Sequence, residues 1–253
     1  MRSLVHYLPI ATTLVSIVFA SVLYKHWRKK PKALYLFWWT LGVILYGVGT
    51  LTESLTTLLG WNELVFKSWY ISGALLGGAP LAQGTVYLLM SNKVAHRLTA
   101  VLVTFIVIAA ACVVLSPVNY EAVETYRLSG SVLGWQWTRL FSPIINTYAL
   151  IFLVGGAAWS AWKYWRSSID FRARAHGNTL IAVGALLPGI GGSFTRFGYV
   201  EVLYVTEIIG IMLIWLGYYV ISNDPNRSIH TKQSVETVPA IGPVVPEPVS
   251  VEP

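Results

Sequence analysis

The sequence predicts an all-α integral membrane protein with seven transmembrane helices. Six stretches of the 253-residue chain contain no charged side chain over 18 residues or more, and a seventh of similar length contains a single glutamate. Each stretch is long enough to cross a hydrocarbon core of about 30 Å as a helix. Only 11% of the residues are charged and 55% are apolar. Because so few charges cannot solvate a globular surface, the composition argues against buried helices of a water-soluble protein.

The seven spans follow one another through most of the chain. Their approximate bounds are residues 7–24, 33–54, 68–91, 98–117, 140–162, 177–197 and 200–221. The last segment, residues 223–253, lacks hydrophobic blocks and holds six of the twelve prolines. This composition predicts a disordered or polyproline-like cytoplasmic tail, with or without a binding role.

Lysine and arginine are distributed unequally between the two sides of these spans. The segments after spans one, three, five and seven hold thirteen of the eighteen, and the other side holds five. Because cations resist translocation, this asymmetry predicts a plasma (cell inner) membrane protein with its N-terminus outside and its C-terminus in the cytoplasm. The net charge of +7 comes from cations in short loops at helix ends, where anionic lipid headgroups are a sufficient partner for them. Nucleic acid is therefore not expected as a partner.

Spans one to three and spans five to seven share sequence features in the same order. The shared features are a Pro-Ile pair, a basic-aromatic helix end and three glycines. In order, they are Pro9-Ile10 with Pro143-Ile144, residues 25–28 with residues 163–166, and Gly42, Gly47 and Gly49 with Gly184, Gly189 and Gly191. The matches predict two parallel three-helix repeats joined by the fourth span, a 3+1+3 plan. The alternative is that such features recur by composition in any membrane protein.

Polar side chains within the spans concentrate toward the predicted outer side. The candidate ligand-binding residues are Glu53, Gln83, Asn146, Arg196, Tyr204 and Glu207. Glu207 lies well inside the seventh span, where an uncompensated charge is costly. We therefore expect Arg196 to pair with Glu207 or Glu53 around a polar cavity that opens outward. The competing interpretation is that these groups hold helices together or reach the outer headgroups.

Glycine and proline cluster in residues 73–84 of the third span and in residues 188–192 of the sixth. Proline leaves a backbone carbonyl without its usual partner, so both clusters predict kinks near the middle of the bilayer. Broken helices often line transport sites. Close helix packing through glycine explains the third span equally well.

Several classes of function are argued against by the residues in the spans. No span contains a lysine that could carry retinal, and the chain has neither a phosphate-binding loop nor a zincin histidine pair. The five histidines lie at or beyond span ends and on opposite sides, so we expect no metal or cofactor. An enzyme is not expected, because no nucleophile and base stand out. The sequence favours a small-molecule-binding carrier, and the alternative is a seven-helix receptor or interaction subunit that signals through a partner protein.

Overall fold

The computed structural model describes residues 4–167, 171–195 and 197–224, and this part of the chain is all-helical. A short 3₁₀ turn, Leu4–Tyr7, leads into the first helix. The helices are α1 (Leu8–Lys29), α2 (Leu34–Leu59), α3 (Glu63–Trp69), α4 (Ala79–Leu89), α5 (Asn92–Leu115), α6 (Phe141–Ala149), α7 (Gly156–Trp165), α8 (Arg172–Thr195) and α9 (Val200–Ser222). The first π segment, Tyr70–Leu75, continues α3, and the second π segment, Leu150–Gly155, joins α6 to α7.

Within the described ranges, six helical stretches are long and apolar enough to cross a membrane. They are Leu4–Lys29, Leu34–Leu59, Asn92–Leu115, Gln136–Trp165, Arg172–Thr195 and Val200–Ser222. These stretches match the predicted spans one, two, four, five, six and seven. Residues 225–253, nearly all of the predicted tail, lie outside the described residues.

The predicted third span is interrupted. The first π segment ends at Leu75, and α4 begins at Ala79 with Pro80 in its first turn. Proline is well tolerated in a first helical turn but cannot donate a hydrogen bond to the preceding one, so the chain restarts there. The kink predicted in this span is therefore a full break. In the sixth span, by contrast, α8 continues through Pro188 as one helix.

The helices form a ring. Around it, α1 packs on α2, α2 on α4, α4 on α6 and the second π segment, α7 on α8, and α8 on α9, which returns to α1. Helix α5 lies outside the ring, where it contacts α4, the first π segment and the turn before α6. Six of the seven predicted spans thus surround a common centre, and the fourth is peripheral.

The outward faces of the helices are apolar. On α5, for example, Val101 is 68% exposed, Val107 is 61% exposed and Leu115 is 69% exposed. A water-soluble monomer rarely exposes contiguous apolar surface of this kind, whereas hydrocarbon solvates it at no cost. These faces are compatible with direct contact with the lipid bilayer.

The two ends of the bundle differ. At one end, which we call the basic end, every charged residue of the connections at residues 30–33 and 90–93 is a lysine. At the other, the loop end, residues 116–140 form 3₁₀ turns and two isolated antiparallel bridges, Val118 with Leu133 and Glu124 with Arg127. Leu133 is fully buried against the bundle. Residues 116–140, which we call the capping loop, therefore pack over the ring and do not extend into solvent.

Candidate functional site

A cavity of about 650 Å³ lies inside the ring, toward the loop end. Its walls come from α2, the first π segment, α6, the second π segment, α8 and α9, and residues 127–131 of the capping loop line its mouth. Leu81, Leu153 and Ile214 form its floor, and the same three side chains belong to the apolar core of the basic end. A cavity of this size is typical of sites for small molecules.

Two carboxyl groups meet in the wall of the cavity. Glu53 projects from α2 and Glu207 from α9, and the carboxyl of each lies within hydrogen-bonding reach of the other. Glu53 is only 4% exposed, and its Oε1 accepts a hydrogen bond of 2.9 Å from the indole nitrogen of Trp69. The Oε2 atoms of both glutamates are buried, and no amide, hydroxyl or cationic donor of the described chain reaches either atom. Because carboxylates only accept hydrogen bonds, a bond between these two groups requires a proton on one of them.

Backbone and hydroxyl contacts fix the two helices that carry this pair. The hydroxyl of Tyr46, on α2, donates to the backbone oxygen of Glu207 at 3.0 Å. The hydroxyls of Thr13 and Thr50 meet at 2.9 Å and link α1 to α2. Buried hydrogen bonds of this kind hold helices in one register where no water competes for them. The carboxyl pair is thus held between helices in fixed positions.

The break in the third span supplies part of the polar lining. The carbonyl of Ala74 would normally accept from the nitrogen of residue 78, but the helix has ended by then. Instead, Ser142 Oγ donates to this carbonyl at 2.8 Å and Asn146 Nδ2 at 3.3 Å. A backbone carbonyl within a membrane must find such a partner. Asn146, one of the predicted site residues, therefore lines the cavity and also stabilises the break.

The other predicted site residues have different positions. Gln83 is fully buried away from the cavity lining, where it donates to Thr99 Oγ1 at 2.8 Å and accepts from the Tyr148 hydroxyl at 2.5 Å. Tyr204 is buried outside the cavity lining, and its hydroxyl interacts electrostatically with both glutamates. Arg196 lies outside the described residues. Its pairing with Glu207 or Glu53 therefore stays a prediction.

Sequence reasoning missed the cations and aromatic rings of the lining. Arg127 and Arg139, from the capping loop, line the cavity together with Trp69 and Tyr70. Arg127 donates to the carbonyl of Thr195 at 3.0 Å. The sequence did contain a signal for the two arginines, because both lie in a loop on the predicted outer side, which holds few cations. The sequence did not distinguish the aromatic residues as part of a site, because tryptophan and tyrosine are expected at any membrane interface.

Comparison of the chain with protein-family models, with curated proteins and with solved structures finds no significant match.

Proposed function

We propose that this protein is a seven-span carrier for small molecules, with the cavity as its binding site. One observation carries the proposal: the cavity is open to the capping loop but is separated from the basic end by an apolar floor, formed by Leu81, Leu153 and Ile214. These three side chains come from α4, the second π segment and α9, so opening the floor in a carrier would require these elements to move relative to one another. A site that can open alternately to two sides is the requirement for a carrier.

The interrupted third span is counted as a membrane crossing in this proposal. Helix α3, the first π segment and α4 all pack against α2 in turn. Together they cover residues 63–89, and they follow α2 along its length. Non-helical backbone is tolerated at membrane depth where it is buried in protein or lines a cavity, and Gly77 and Gly78 of the break line the cavity.

Helix contacts favour the two-repeat plan. Gly42 and Gly49 of α2 face the third span, where they lie against Leu81 and Gly73. Their sequence counterparts in α8, Gly184 and Gly191, likewise face the third helix of their own half. They lie against Gly210 and Leu203 of α9, respectively. The third pair does not correspond in this way: Gly47 lies against Ser16, whereas the position of a β-carbon on Gly189 is open. Two of three matched glycines thus have matched neighbours.

The order of the helices around the ring also favours two parallel repeats. In such a repeat, span one corresponds to span five and span three to span seven. The contact of α1 with α9 then corresponds to the contact of α6 with α4, and the ring contains both. These relations support a rotation axis along the membrane normal, with the cavity between the two halves.

In the proposed orientation, the loop end of the bundle faces outward across the plasma membrane. Thr125 lies exposed in the capping loop and Ser167 lies exposed at the basic end. With Cys112 replaced by alanine, a Thr125→Cys variant should react with a membrane-impermeant thiol reagent on intact cells. A Ser167→Cys variant in the same background should react only after the cells are opened. The reverse pattern would refute the orientation.

Alternating access provides the experiment that tests the carrier. Gly189 lines the cavity, and a β-carbon there meets no atom within 4 Å, so a Gly189→Cys side chain fits without displacing a neighbour. In a carrier, a charged thiol reagent should modify this cysteine from either face of sealed vesicles of known orientation. Ser167→Cys and Thr125→Cys serve as controls, since each should react from one face only.

The receptor alternative is favoured by the packing below the floor. Phe19 stacks on Trp215 with ring centroids 5.5 Å apart, and His26 bonds to the hydroxyl of Tyr218 at 2.5 Å. These contacts close the basic end, as a receptor that signals through a partner protein would require. Modification of the Gly189→Cys variant from the loop end alone, with no reaction from the basic end, would support the receptor and refute the carrier.

A further inference from the structure

We propose that Glu53 and Glu207 bind a protonated amine in exchange for a proton. The proposal rests on the proposed function in one respect, namely that the cavity is the site of the ligand. It adds the chemical class of that ligand and couples its binding to proton release.

The hydrogen-bonding chemistry of the pair carries the proposal. The carboxyl groups of Glu53 and Glu207 only accept hydrogen bonds when ionised, and no described donor reaches the buried Oε2 atom of either one. Some donor must lie between two such groups in an apolar wall, because two adjacent carboxylates repel each other. A shared proton supplies that donor in the empty site. An ammonium group supplies it better when a ligand is present, since its three N–H bonds reach both carboxylates at once and its charge offsets theirs.

The surroundings favour an organic cation over a metal ion. Within the described ranges, no group of three or more metal-ligating side chains of His, Cys, Asp or Glu comes together, whereas hard cations take about six or more oxygen ligands. The lining instead offers the rings of Tyr46, Trp69 and Tyr70. Aromatic faces attract organic cations, and the apolar wall accommodates their carbon skeleton.

The exchange balances in atoms and charge. Before binding, the pair holds one proton and one negative charge. The entering ammonium displaces that proton to water, and its nitrogen then donates to two ionised carboxylates. The occupied site carries the same single negative charge as the empty one, because the ammonium replaces the proton. The released proton takes into the water the positive charge that the amine brought. One proton therefore leaves for each amine bound.

Other ionisable and charged groups near the pair are spread over several elements. They are Tyr46 of α2, Tyr70 of the first π segment, Arg127 and Arg139 of the capping loop, and Tyr204 and Glu201 of α9, with His6 beside Tyr204 and Glu201. Both arginines are permanently charged. The set contains one histidine, His6, so the proton count is measured in a His6→Gln background as well.

The test compares two probes with the same carbon skeleton. Purified full-length protein is titrated with 2-phenylethylamine, a cation, and with 2-phenylethanol, its neutral analogue, in buffers of different ionisation enthalpy. We expect the amine to bind and release about one proton, and the alcohol to bind at least tenfold more weakly. Where the pair holds its proton, the apparent affinity for the amine should rise about tenfold per unit of pH.

A matched pair of variants assigns the effect to the carboxyl groups. Glu207→Gln supplies an amide donor in place of the shared proton, so it should bind the amine at least tenfold more weakly and release no proton. Glu201→Gln, on the same helix but outside the cavity lining, should behave like the wild type. The wild-type proton count stands on its own if Glu207→Gln does not fold.

Three outcomes would overturn the inference. They are equal binding of both probes, amine binding without proton release, and binding of neither probe. In each case, access of reagents to the Gly189→Cys variant from both faces would leave the carrier proposal standing. Conversely, amine binding with proton release in a protein whose cysteine reacts from the loop end alone would refute the carrier and retain the carboxyl site.

Discussion

Replacing Gly192 with tryptophan is expected to close the cavity while leaving the fold intact. Gly192 lines the cavity on α8, about one turn nearer the loop end than Gly189, and a β-carbon added there meets no atom within 4 Å. An indole at this position therefore fills space that a ligand would otherwise occupy. Overlap with a bound molecule costs about 1–3 kcal/mol, which weakens binding by roughly tenfold or more.

The measurement needs no identified ligand. In a chain that also carries Gly189→Cys, the Gly192→Trp change should slow modification of that cysteine from the loop end by at least about tenfold, since the indole covers the route. Val183→Trp is the matched control, because Val183 lies on the same helix, is 47% exposed and does not line the cavity. Equal labelling rates in the two variants would mean that reagents do not reach Gly189 through this cavity.

Span positions could be predicted from the sequence because they depend on local composition. A charge-free stretch of about 20 residues forms a helix in hydrocarbon whatever its neighbours are, since its backbone groups have no other partner there. The break in the third span was only partly predictable. Gly77, Gly78 and Pro80 indicated a weak point, but the break is stabilised by Ser142 and Asn146 of α6. These residues are distant in sequence from the break, so the sequence around the break does not indicate the contact.

The sequence indicated the depth of the candidate site but not that two carboxyl groups meet there. Counting residues along the helices placed Glu53, Asn146 and Glu207 toward one side of the membrane, and the structure brings all three to the cavity. The usual rule for a buried charge predicts an arginine as the partner of Glu207, and this pairing with Arg196 stays a prediction. The structure puts a second carboxyl, that of Glu53, beside Glu207. A shared proton can supply the hydrogen bond between two such carboxyl groups, and a sequence does not show which carboxyl groups are protonated.

Gln83 illustrates a different limit. An amide in an apolar span is equally suited to bind a ligand and to join helices. Helical spacing does not separate the two roles, because both require an inward-facing side chain. The structure puts Gln83 between α4, α5 and α6. The order of the helices around the ring decides whether an inward-facing side chain lines the cavity or contacts a neighbouring helix, and the sequence alone does not give that order.

A large loss of stability is expected from a single methyl group at Gly184. A β-carbon there would lie 2.6 Å from the backbone oxygen of Gly210 and 3.0 Å from the backbone nitrogen of Ile214. Both atoms belong to the backbone of α9, which cannot move aside as a flexible side chain would. Gly184→Ala must therefore push α8 and α9 apart, at a cost of about 1–3 kcal/mol in the free energy of unfolding.

Gly189→Ala is the matched control, since it adds the same methyl group to the same helix where nothing lies within 4 Å. It should leave stability unchanged or raise it by up to about 1 kcal/mol, because alanine favours the helix. Thermal unfolding in detergent measures both variants. Gly42→Ala extends the test to the other half: its β-carbon would lie 2.9 Å from the backbone nitrogen of Leu81, so it should destabilise the protein as Gly184→Ala does. If Gly42→Ala behaves like Gly189→Ala instead, the contacts of α2 and α8 are not equivalent, and the two-repeat plan loses the support of its glycines.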